Sequence, residues 1–593
     1  MALTEKCTIN IDNNPVKSFI GITIDQELGK PDHFILNCNR SALVGENELD
    51  TASISSLYSK VGKEITFQLD NIQSGGATKN FFFKGIITDI RANRDGNSNE
   101  VLIISGYSPE IILQGEPTRR SFENKTLRQV VEEVLQPYPQ DVLSLSSDSQ
   151  PRDTGVYPYI VQYDESNYNF IARLGTTFSE WFYYDGRKLV FGVPKNSPAT
   201  ELTHGINLSE VVVVSLIKPA KFHSGYHDYL QDKDISADST DISIDENLTT
   251  QSRSLLSASA NRFRESGYWN YYNSYSLQPD PINQVFKIRE QNTASGSYRI
   301  LGTTSEPLAL GSNVHVYGRT KQKSKDDDLG EFQVNSCRHN FTSDLNYFSE
   351  FQASPGVLPI GPSSAEFNIK TFPESAVVTD NNDPEHLGRV KVRTSWQDND
   401  HTTPWARIVA PHSGDSRGHY FIPEVGDEVL VDYEHGDPQK PIVIGSFYST
   451  NHGPEQAWVT DKNDIKKIRT RSGHTVEFDD TSGSEKLSIY NGAGSSAGSN
   501  SNIISLTLNP VKITIESQGD IELKGKNIKL DAQGSLELHA ASGVSIKTDS
   551  GDASLEGSQV SVKADASVKV SGATAEIDGT GQVKIQGAIV QIN

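Results

Sequence analysis

The stretch IELKGKNIKLDAQGSLELHA, residues 521–540, shows the pattern that decides how the C-terminal part of this chain folds. Two apolar residues separated by one residue recur every seven to nine residues from Ile521 to Ile592. The alternation inside each pair predicts a short strand with one buried face, and the Gly, Ser, Asp and Asn residues between pairs predict tight turns. Such a strand cannot build a core alone, so it must stack on copies of itself in this chain or in others.

The apolar pairs are predicted to form both the core of this segment and its contacts between chains, because nothing else in the repeat is apolar enough. From Val511 onward the sequence contains no aromatic residue, no Pro, no Arg and no Cys. The residues assigned to this core and to oligomerisation are Ile521, Leu523, Ile528, Leu530, Leu536, Leu538, Val544, Ile546, Val560, Val562, Val568, Val570, Val583 and Ile585.

The whole-chain composition bounds the class of protein. A length of 593 residues predicts roughly three to five domains, and 35% apolar with 22% charged residues predicts globular structure. The net charge of −22 argues against broad nucleic-acid binding. Cys7, Cys38 and Cys337 lack metal-ligand spacing and are interpreted as free thiols of a protein folded in a reducing cytosol. No stretch predicts a cleavable signal peptide or a membrane helix.

The order of local patterns predicts four regions. Residues 1–360 are β-rich with a few helices, one beginning after Thr126, which has capping-box spacing with Gln129, and one after Ser166. A Pro- and Gly-rich linker around Pro355–Pro362 ends this region. Residues 366–450 contain about five short strands, which suggests a small closed barrel. Residues 451–510 form a polar connection with strand-like pieces, and residues 511–593 carry the repeat.

Two stretches carry a family resemblance. The first is QYDESNYNFIARL at residues 162–174. The second is an ordered series that comprises DP at 383–384, LGRVKV at 387–392, WAR at 405–407, IPEVGDEVLV at 422–431, EHGDP at 434–438 and PIVIGS at 441–446. They resemble the hub signature and the oligonucleotide-fold barrel of the VgrG spike proteins of type VI secretion and related contractile injection machines, in a compact Bacteroidetes-like version. These spikes are similar to a phage tail hub fused to a tail needle.

The resemblance implies a mainly β protein. It would comprise a tail-hub-like domain with two β-barrel subdomains and a few helices, an OB-fold (phage baseplate V-like) barrel, a connecting segment, and a C-terminal needle. The needle is expected to be a three-sided β-prism of three intertwined chains. The resemblance further implies a non-enzymatic homotrimer without cofactor or metal, assembled in the cytoplasm and then injected by contraction of an outer sheath.

The expected partners follow from the same resemblance. The hub would dock on a hexameric Hcp-like inner-tube protein and on baseplate proteins, and the needle would pass transiently through a target membrane. A PAAR-type tip protein would cap the strand ends at Val590, Gln591, Ile592 and Asn593, and effectors would ride on the tip. Nucleic acid is not an expected partner.

Several residues allow a chemical as well as a structural interpretation. Arg389, Arg407, Asp427 and Glu428 suit an ion site or a salt-bridge network, and the structural network is favoured. A metal site among His386, His401, His412, His419 and His435 is disfavoured because no pair has a ligand spacing. Asp164 and Glu165 suit a glycosidase carboxylate pair or acidic residues at a helix start capped by Ser166, and the cap is favoured.

Three other functions remain open. The chain could be the equivalent spike of an extracellular contractile injection system or tailocin. A trimeric adhesin or tail fibre also uses repetitive β-shafts, but it would need a receptor-binding head and usually a signal peptide. A cell-wall hydrolase on a spike scaffold is disfavoured because the gap between Ser446 and Val511 is short and rich in Gly and Ser.

Overall fold

A computed structural model describes residues 6–43, 57–74, 77–94, 100–178, 180–193, 198–239, 249–263, 265, 267–268, 293–294, 296–318, 328–344, 346–355, 369–492 and 502–592. The protein is mainly β, as predicted, and divides into two compact units, Met1–Pro454 and Glu455–Asn593. The predicted linker lies outside the described residues from residue 356 onward.

The hub, which we define as the described residues up to 355, is built on one thirteen-stranded sheet. The sheet path runs through Leu208–Ser215, Tyr298–Thr304, Tyr347–Ser354, Asp328–Thr342, Gly21–Glu27, His33–Asn39, Glu100–Tyr107, Ala77–Arg94, Glu64–Ser74, Lys6–Ile11 and Asn14–Pro15. Asn313–Tyr317 pairs with Asp328–Thr342, and Thr200–Thr203 pairs with Asn313–Tyr317. Antiparallel pairing of Gly21–Glu27 with Asp328–Thr342 joins the two ends of the hub sequence in one sheet.

Three helices of the hub are described: Leu127–Leu135, Asn167–Phe178 and Thr250–Arg262. The first begins with the predicted capping box, in which the Thr126 side chain accepts from the Gln129 N–H and the Gln129 side chain accepts from the Thr126 N–H. The second is capped by Ser166, whose hydroxyl accepts from the Asn169 N–H at 3.2 Å. None of the described helices is long and apolar enough to cross a membrane.

Smaller sheets complete the hub. Thr118–Thr126 pairs with Val156–Glu165, Phe182–Tyr184 with Leu189–Phe191, and Phe222–Asp228 with Lys233–Asp238 and Gly267–Tyr268. Short 3-10 turns lie at Arg40–Ala42 and Pro109–Leu113 in the hub, and two more follow it in the chain at Glu434–Gly436 and Gln456–Trp458. The hairpin Phe182–Phe191 turns at Asp185 and Gly186, with Gly186 at φ 92°.

Residues 374–446, which we call the barrel, form a five-stranded sheet that closes on itself. The strand order is Lys391–Thr394, Glu374–Asp380, Glu428–Tyr433, Pro441–Ser446 and Arg407–Ile408. A bridge between Val390 and Ala406 joins the first of these strands to the last. A two-residue hairpin, Ser413–Gly414 with Arg417–Gly418, projects from the barrel. This is the small closed barrel expected from the sequence.

The second unit begins with an antiparallel meander that we call the collar sheet. Its strands are Ile465–Arg469, Thr475–Asp479, Lys486–Tyr490, Ile503–Leu508 and Val511–Glu516. The last strand lies inside the range that the sequence analysis assigned to the needle. Residues 517–592, which we call the needle, are all described and form no hydrogen-bonded strand within the single chain.

Candidate functional site: the joint between hub and barrel, and the needle

The strand Val156–Glu165 joins hub and barrel because its side chains pack in both cores. Ile160 packs in the hub core. Tyr159, Val161 and Tyr163 pack in the barrel core with the barrel's inward-facing valines. Since close-packed cores resist displacement, this shared strand fixes the barrel on the hub.

One carboxylate, that of Glu374 at the start of the first barrel strand, collects four donors at this joint. It accepts hydrogen bonds from Trp396 Nε1 at 3.0 Å, Arg119 Nη1 at 3.3 Å, the Tyr163 hydroxyl at 3.4 Å and the Tyr433 hydroxyl. Burial, followed by the proximity of Glu374, raises the pKa of both tyrosines, which keeps their hydroxyls protonated as donors. Hub and barrel residues therefore share one charged acceptor.

Arg119 is held in place for this contact by two further interactions. Its Nε and Nη2 donate to the two carboxylate oxygens of Asp164 at 2.6 and 2.7 Å, and its guanidinium lies 4.2 Å from the centre of the Tyr163 ring. The hydrogen bonds from Arg119 lower the pKa of Asp164. A bidentate, stacked arginine is a geometrically specific arrangement that lysine would not reproduce.

A barrel loop makes a second set of contacts with the hub strand Thr118–Thr126. Gln397 Nε2 donates to the Ser121 hydroxyl at 3.5 Å and to the Tyr159 hydroxyl of the paired strand Val156–Glu165 at 2.9 Å, and the Thr402 N–H donates to Glu123 Oε1 at 2.6 Å. His401 Nδ1 lies 3.1 Å from the Ser121 hydroxyl. The loop thus satisfies polar groups of the hub strand.

The arginines considered for an ion site are paired structurally. Arg389 pairs with the buried Asp383 at 2.6 Å, and Arg407 pairs with Glu434 at 2.7 Å. Tyr229, at the tip of the hairpin Phe222–Asp238, accepts from Arg389 Nη1 at 3.3 Å, and its ring centre lies 4.4 Å from the Arg407 guanidinium. Asp427 accepts from the Glu424 N–H instead of joining an ion pair with either arginine.

Asp383 explains why an Asp–Pro pair precedes the Leu–Gly–Arg motif. Its carboxylate accepts the N–H groups of Glu385, Leu387 and Arg389 in addition to the Arg389 guanidinium. These hydrogen bonds hold its pKa well below the ordinary range. Gly388 follows at φ 72°, a conformation that disfavours other residues.

The hub signature is likewise structural. Arg173 donates from Nη2 to Glu165 Oε1 at 2.6 Å and to the Val161 carbonyl at 2.8 Å, and both members of the ion pair are buried. Both Asp164 and Glu165 are therefore engaged by arginines, which favours the structural interpretation over glycoside hydrolysis. Across the described ranges, no three His, Cys, Asp or Glu side chains are grouped as metal ligands, and the three cysteines are free.

The fourteen apolar residues assigned to the needle core share one property: within the single chain each is between 49% and 82% exposed. Val590 and Ile592, assigned to tip docking, are 49% and 85% exposed, and Asn593 lies outside the described residues. No contact in the single chain tests either assignment, so both stay predictions.

Turn glycines shape the needle repeat in a way that the sequence analysis missed. A Cβ at Gly525 would lie 3.5 Å from the Ile528 side chain, and one at Gly579 would lie 2.9 Å from that of Val583. At these two turns the first apolar residue of the following pair packs over the glycine. The recurring Gly three or four residues before a pair was a visible signal.

The joint residues Arg119, Glu374, Trp396 and Tyr229 were also missed. Arg119 and Glu374 lie 255 positions apart in sequence, and neither belongs to a motif. The one available signal was the run YIVQY at 159–163, whose lack of alternation indicates a strand buried on both faces.

Two known protein families match parts of this chain. The family described as phage tail baseplate hub (GPD) matches residues 48–197, and the type VI secretion system/phage-baseplate injector OB domain matches residues 374–448. The type VI secretion system spike protein VgrG1b of Pseudomonas aeruginosa is 21% identical over 412 residues, which is 63% of this chain and 53% of that protein. VgrG3 of Vibrio cholerae, also a type VI secretion system spike protein, is 30% identical over 114 residues, 18% of this chain and 11% of that protein.

The fold is also shared. A chain of the half-lidded Francisella PdpA–VgrG complex has a TM-score of 0.56 at 9% identity, covering 86% of this chain and 88% of that chain. This chain spans about half of VgrG1b and about a tenth of VgrG3. The matched hub and OB domains and the similar spike-protein relatives show that this chain resembles the VgrG spike proteins in sequence over part of its length, and it shares their fold.

Proposed function

We propose that the chain is the homotrimeric, non-enzymatic, membrane-puncturing spike at the tip of the inner tube of a type VI secretion machine. The observation that carries this proposal is that every residue assigned to the needle core is exposed in the single chain. The hub and barrel of the same chain, by contrast, have well-packed cores. Fully burying a Val, Leu or Ile side chain contributes about 1.5–3 kcal/mol. Fourteen half-exposed side chains per chain thus leave a large apolar contribution that only other chains supply.

Three copies account for the repeat. Each octad would supply one strand to a face of a three-sided prism, with the apolar pairs pointing to the axis. Strands stacked about 4.7 Å apart over some ten repeats give a shaft of roughly 45–50 Å. Neighbouring strands would then come from different chains, which is consistent with the lack of strand pairing among residues 517–592 of one chain.

The mechanism we propose is mechanical. The hub would dock on a hexameric Hcp-like tube and baseplate proteins, and sheath contraction would drive tube and spike from the cytoplasm through a target membrane. A PAAR-type tip protein would cover the exposed apolar residues Val590 and Ile592. The relatives named as type VI spike proteins, and the complex of a Francisella VgrG with PdpA, support such a machine and a partner carried on the spike.

Light scattering on the purified chain tests the trimer. We expect three times 65.2 kDa, whereas a stable monomer would refute the prism. Val568→Asp should abolish the trimer because it buries unpaired charge at the axis, while Lys569→Asp, one position along the strand, should not.

Export of the inner-tube protein tests the function. A strain that lacks the chain should regain export with the wild type and with Lys569→Asp, but not with Val568→Asp. Restoration by a monomeric variant would contradict the spike mechanism. Clearing of peptidoglycan by the purified protein would contradict its non-enzymatic character.

A further inference from the structure

The collar sheet has its polar and apolar faces reversed. In antiparallel sheets that cover a core, apolar side chains usually point inward and polar ones outward. Here the inner face carries Lys467 and Glu477, which form a buried ion pair at 2.6 Å, together with the buried Tyr490, whose hydroxyl donates to Glu477 at 2.8 Å. The polar face is therefore the covered one.

The segment that covers this polar face is the short turn Gln456–Trp458 with its flanking residues. The Trp458 ring lies 5.5 Å from the Lys467 ammonium and 5.8 Å from the Arg469 guanidinium. Arg469 also donates to Glu455 Oε1 at 2.8 Å. Residues of the second unit thus pair the charged groups of its polar face, whereas the opposite face is exposed.

The opposite face is a continuous apolar surface. The strand register places one row of apolar residues across all five strands: Ile468, Val476, Ile489, Ile504 and Ile515. The four isoleucines of this row are between 43% and 57% exposed.

A neighbouring row extends this surface. Phe478, Leu506 and Ile513 are 44%, 39% and 69% exposed. The row ends at the edge strand with Lys466, which pairs with Asp480 at 2.6 Å. Together the two rows expose on the order of 600 Å² of apolar surface, at the upper end of the roughly 300–600 Å² expected for the largest patch on a monomer.

We propose that this face is a second interface of the homotrimer, in which the collar sheets of three copies pack their apolar rows against one another around the axis. The inference rests on the proposed trimeric spike and extends it to a surface outside the octad repeats. We infer that further copies of this chain cover the apolar face because the collar sheet is continuous with the needle. Val511–Glu516 leads within five residues to Ile521, the first residue assigned to the needle core.

Two hydrogen bonds strengthen that continuity. Asn502 Oδ1 accepts from the Ser517 hydroxyl at 2.9 Å and from the Gln518 N–H at 3.3 Å, which ties the start of the needle to the collar sheet. Three chains that share a needle axis therefore bring three collar sheets together at its base. Three sheets with wide apolar rows would hold the chains in register before the narrow repeats begin.

Cysteine labelling of the full-length trimer tests this face. Ile504→Cys places a thiol on the apolar row, and Lys512→Cys places one on the exposed opposite side of the adjacent strand. We expect a maleimide to modify Ile504→Cys at least tenfold more slowly than Lys512→Cys in the native protein, and equally fast in denaturant. Labelling of the wild type measures the background from the native cysteines. Of these, Cys38 and Cys337 are buried and Cys7 is partly buried.

The outcomes separate this inference from the proposed function. A trimer in which Ile504→Cys reacts as fast as Lys512→Cys overturns the collar interface and leaves the needle trimer standing. A wild-type monomer overturns both. Slow labelling of Ile504→Cys in a monomer would show that something other than a second copy of the chain covers this face.

A second variant addresses the contribution to assembly. Ile504→Glu should raise the concentration at which the trimer dissociates at least tenfold, whereas Lys512→Glu should leave it within twofold of the wild type. Equal dissociation of the two variants would refute the collar interface even if both fold.

Discussion

Replacing Glu374 by alanine should loosen the barrel from the hub, because four donors lose one charged acceptor. A hydrogen bond to a charged group contributes about 1.5–3 kcal/mol. The contacts of Tyr433 and Trp396 are the short ones, while those of Arg119 and Tyr163 are 3.3 and 3.4 Å long. Arg119 would also retain its hydrogen bonds to the Asp164 carboxylate in the variant. We therefore expect a loss of about 3–5 kcal/mol for Glu374→Ala and roughly half of that for Glu374→Gln, which keeps one acceptor oxygen.

Urea unfolding followed by tryptophan fluorescence measures this loss, since Trp396 lies within the joint and donates to Glu374. The variant should unfold its barrel at lower urea, and Trp396 emission should shift to the red before the hub unfolds. Glu385→Ala, which truncates an exposed barrel carboxylate, is the matched control and should stay within about 0.5 kcal/mol of the wild type.

A double-mutant cycle with Tyr433→Phe isolates one arm of the network. If the Tyr433 hydroxyl acts through Glu374, the two changes should couple by about 1.5–3 kcal/mol. Additive effects, or a Glu374→Ala variant as stable as the control, would show that the joint is held by apolar packing alone.

Three further changes test other parts of the first unit. Asp383→Asn should destabilise the barrel by about 3–5 kcal/mol near pH 7 because it leaves Arg389 buried without its counter-charge. Because the Asp383 pKa is depressed in the fold, its contribution is present above the ordinary value of 3.8 and is lost as the pH falls through the lower folded value, so urea midpoints of wild type and variant should converge in acid; a constant gap would contradict the ion pair. Burial raises the pKa of Glu110 to about 7 and that of its buried neighbour Asp32 well above its usual range, so the free energy of unfolding of the hub should fall between pH 4.5 and 7 by up to about 1.4 kcal/mol per pH unit and per proton. Glu110→Gln should flatten that pH dependence, and a wild type with pH-independent stability in this range would refute the assignment. Tyr229→Ala should expose the hairpin Phe222–Asp238 to limited proteolysis, whereas Tyr229→Phe, which keeps the ring, should cost under about 1 kcal/mol; equal cleavage of both variants would show that the ring does not latch the hairpin.

Local sequence patterns predicted the helix caps and short strands that depend on interactions between residues near in sequence. The capping box at Thr126, the Ser166 cap and the collar strands around Thr475 and Lys486 all appear as expected, because each depends on residues near in sequence. The closed barrel also follows from its short strands and turns.

Gly85 shows where such reasoning fails. A glycine between two apolar runs is typical of a strand boundary, but Gly85 lies within the single strand Ala77–Arg94. A Cβ there would lie 2.6 Å from the Phe34 ring, and one at Gly106 would lie 2.8 Å from the same ring. The two glycines make room for a buried aromatic side chain from another strand, which no local pattern encodes.

The joint was beyond prediction for a related reason. A charged residue at a strand start normally indicates a solvated position, and Glu374 gives no local sign of its four donors. Tyr163 and Trp396 come from segments more than 200 positions apart, and only the tertiary fold brings their rings within 6.1 Å. The segment Val156–Glu165 has apolar residues at successive positions, but nothing in its sequence says which side chain meets which core.

That shared strand bears on whether the first unit transmits force in the proposed spike. Sliding the barrel along the hub would withdraw Tyr159, Val161 and Tyr163 from the barrel core together, because all three lie on one face of one strand. The same displacement would break the contacts of Glu374 with hub residues. A force that pushes the barrel along the hub would therefore have to break many interactions at the same time. The shared strand is itself hydrogen-bonded to Thr118–Thr126. A spike driven by contraction requires a joint of this kind, and for that reason a Glu374→Ala variant that still trimerises should lose export before it loses its fold.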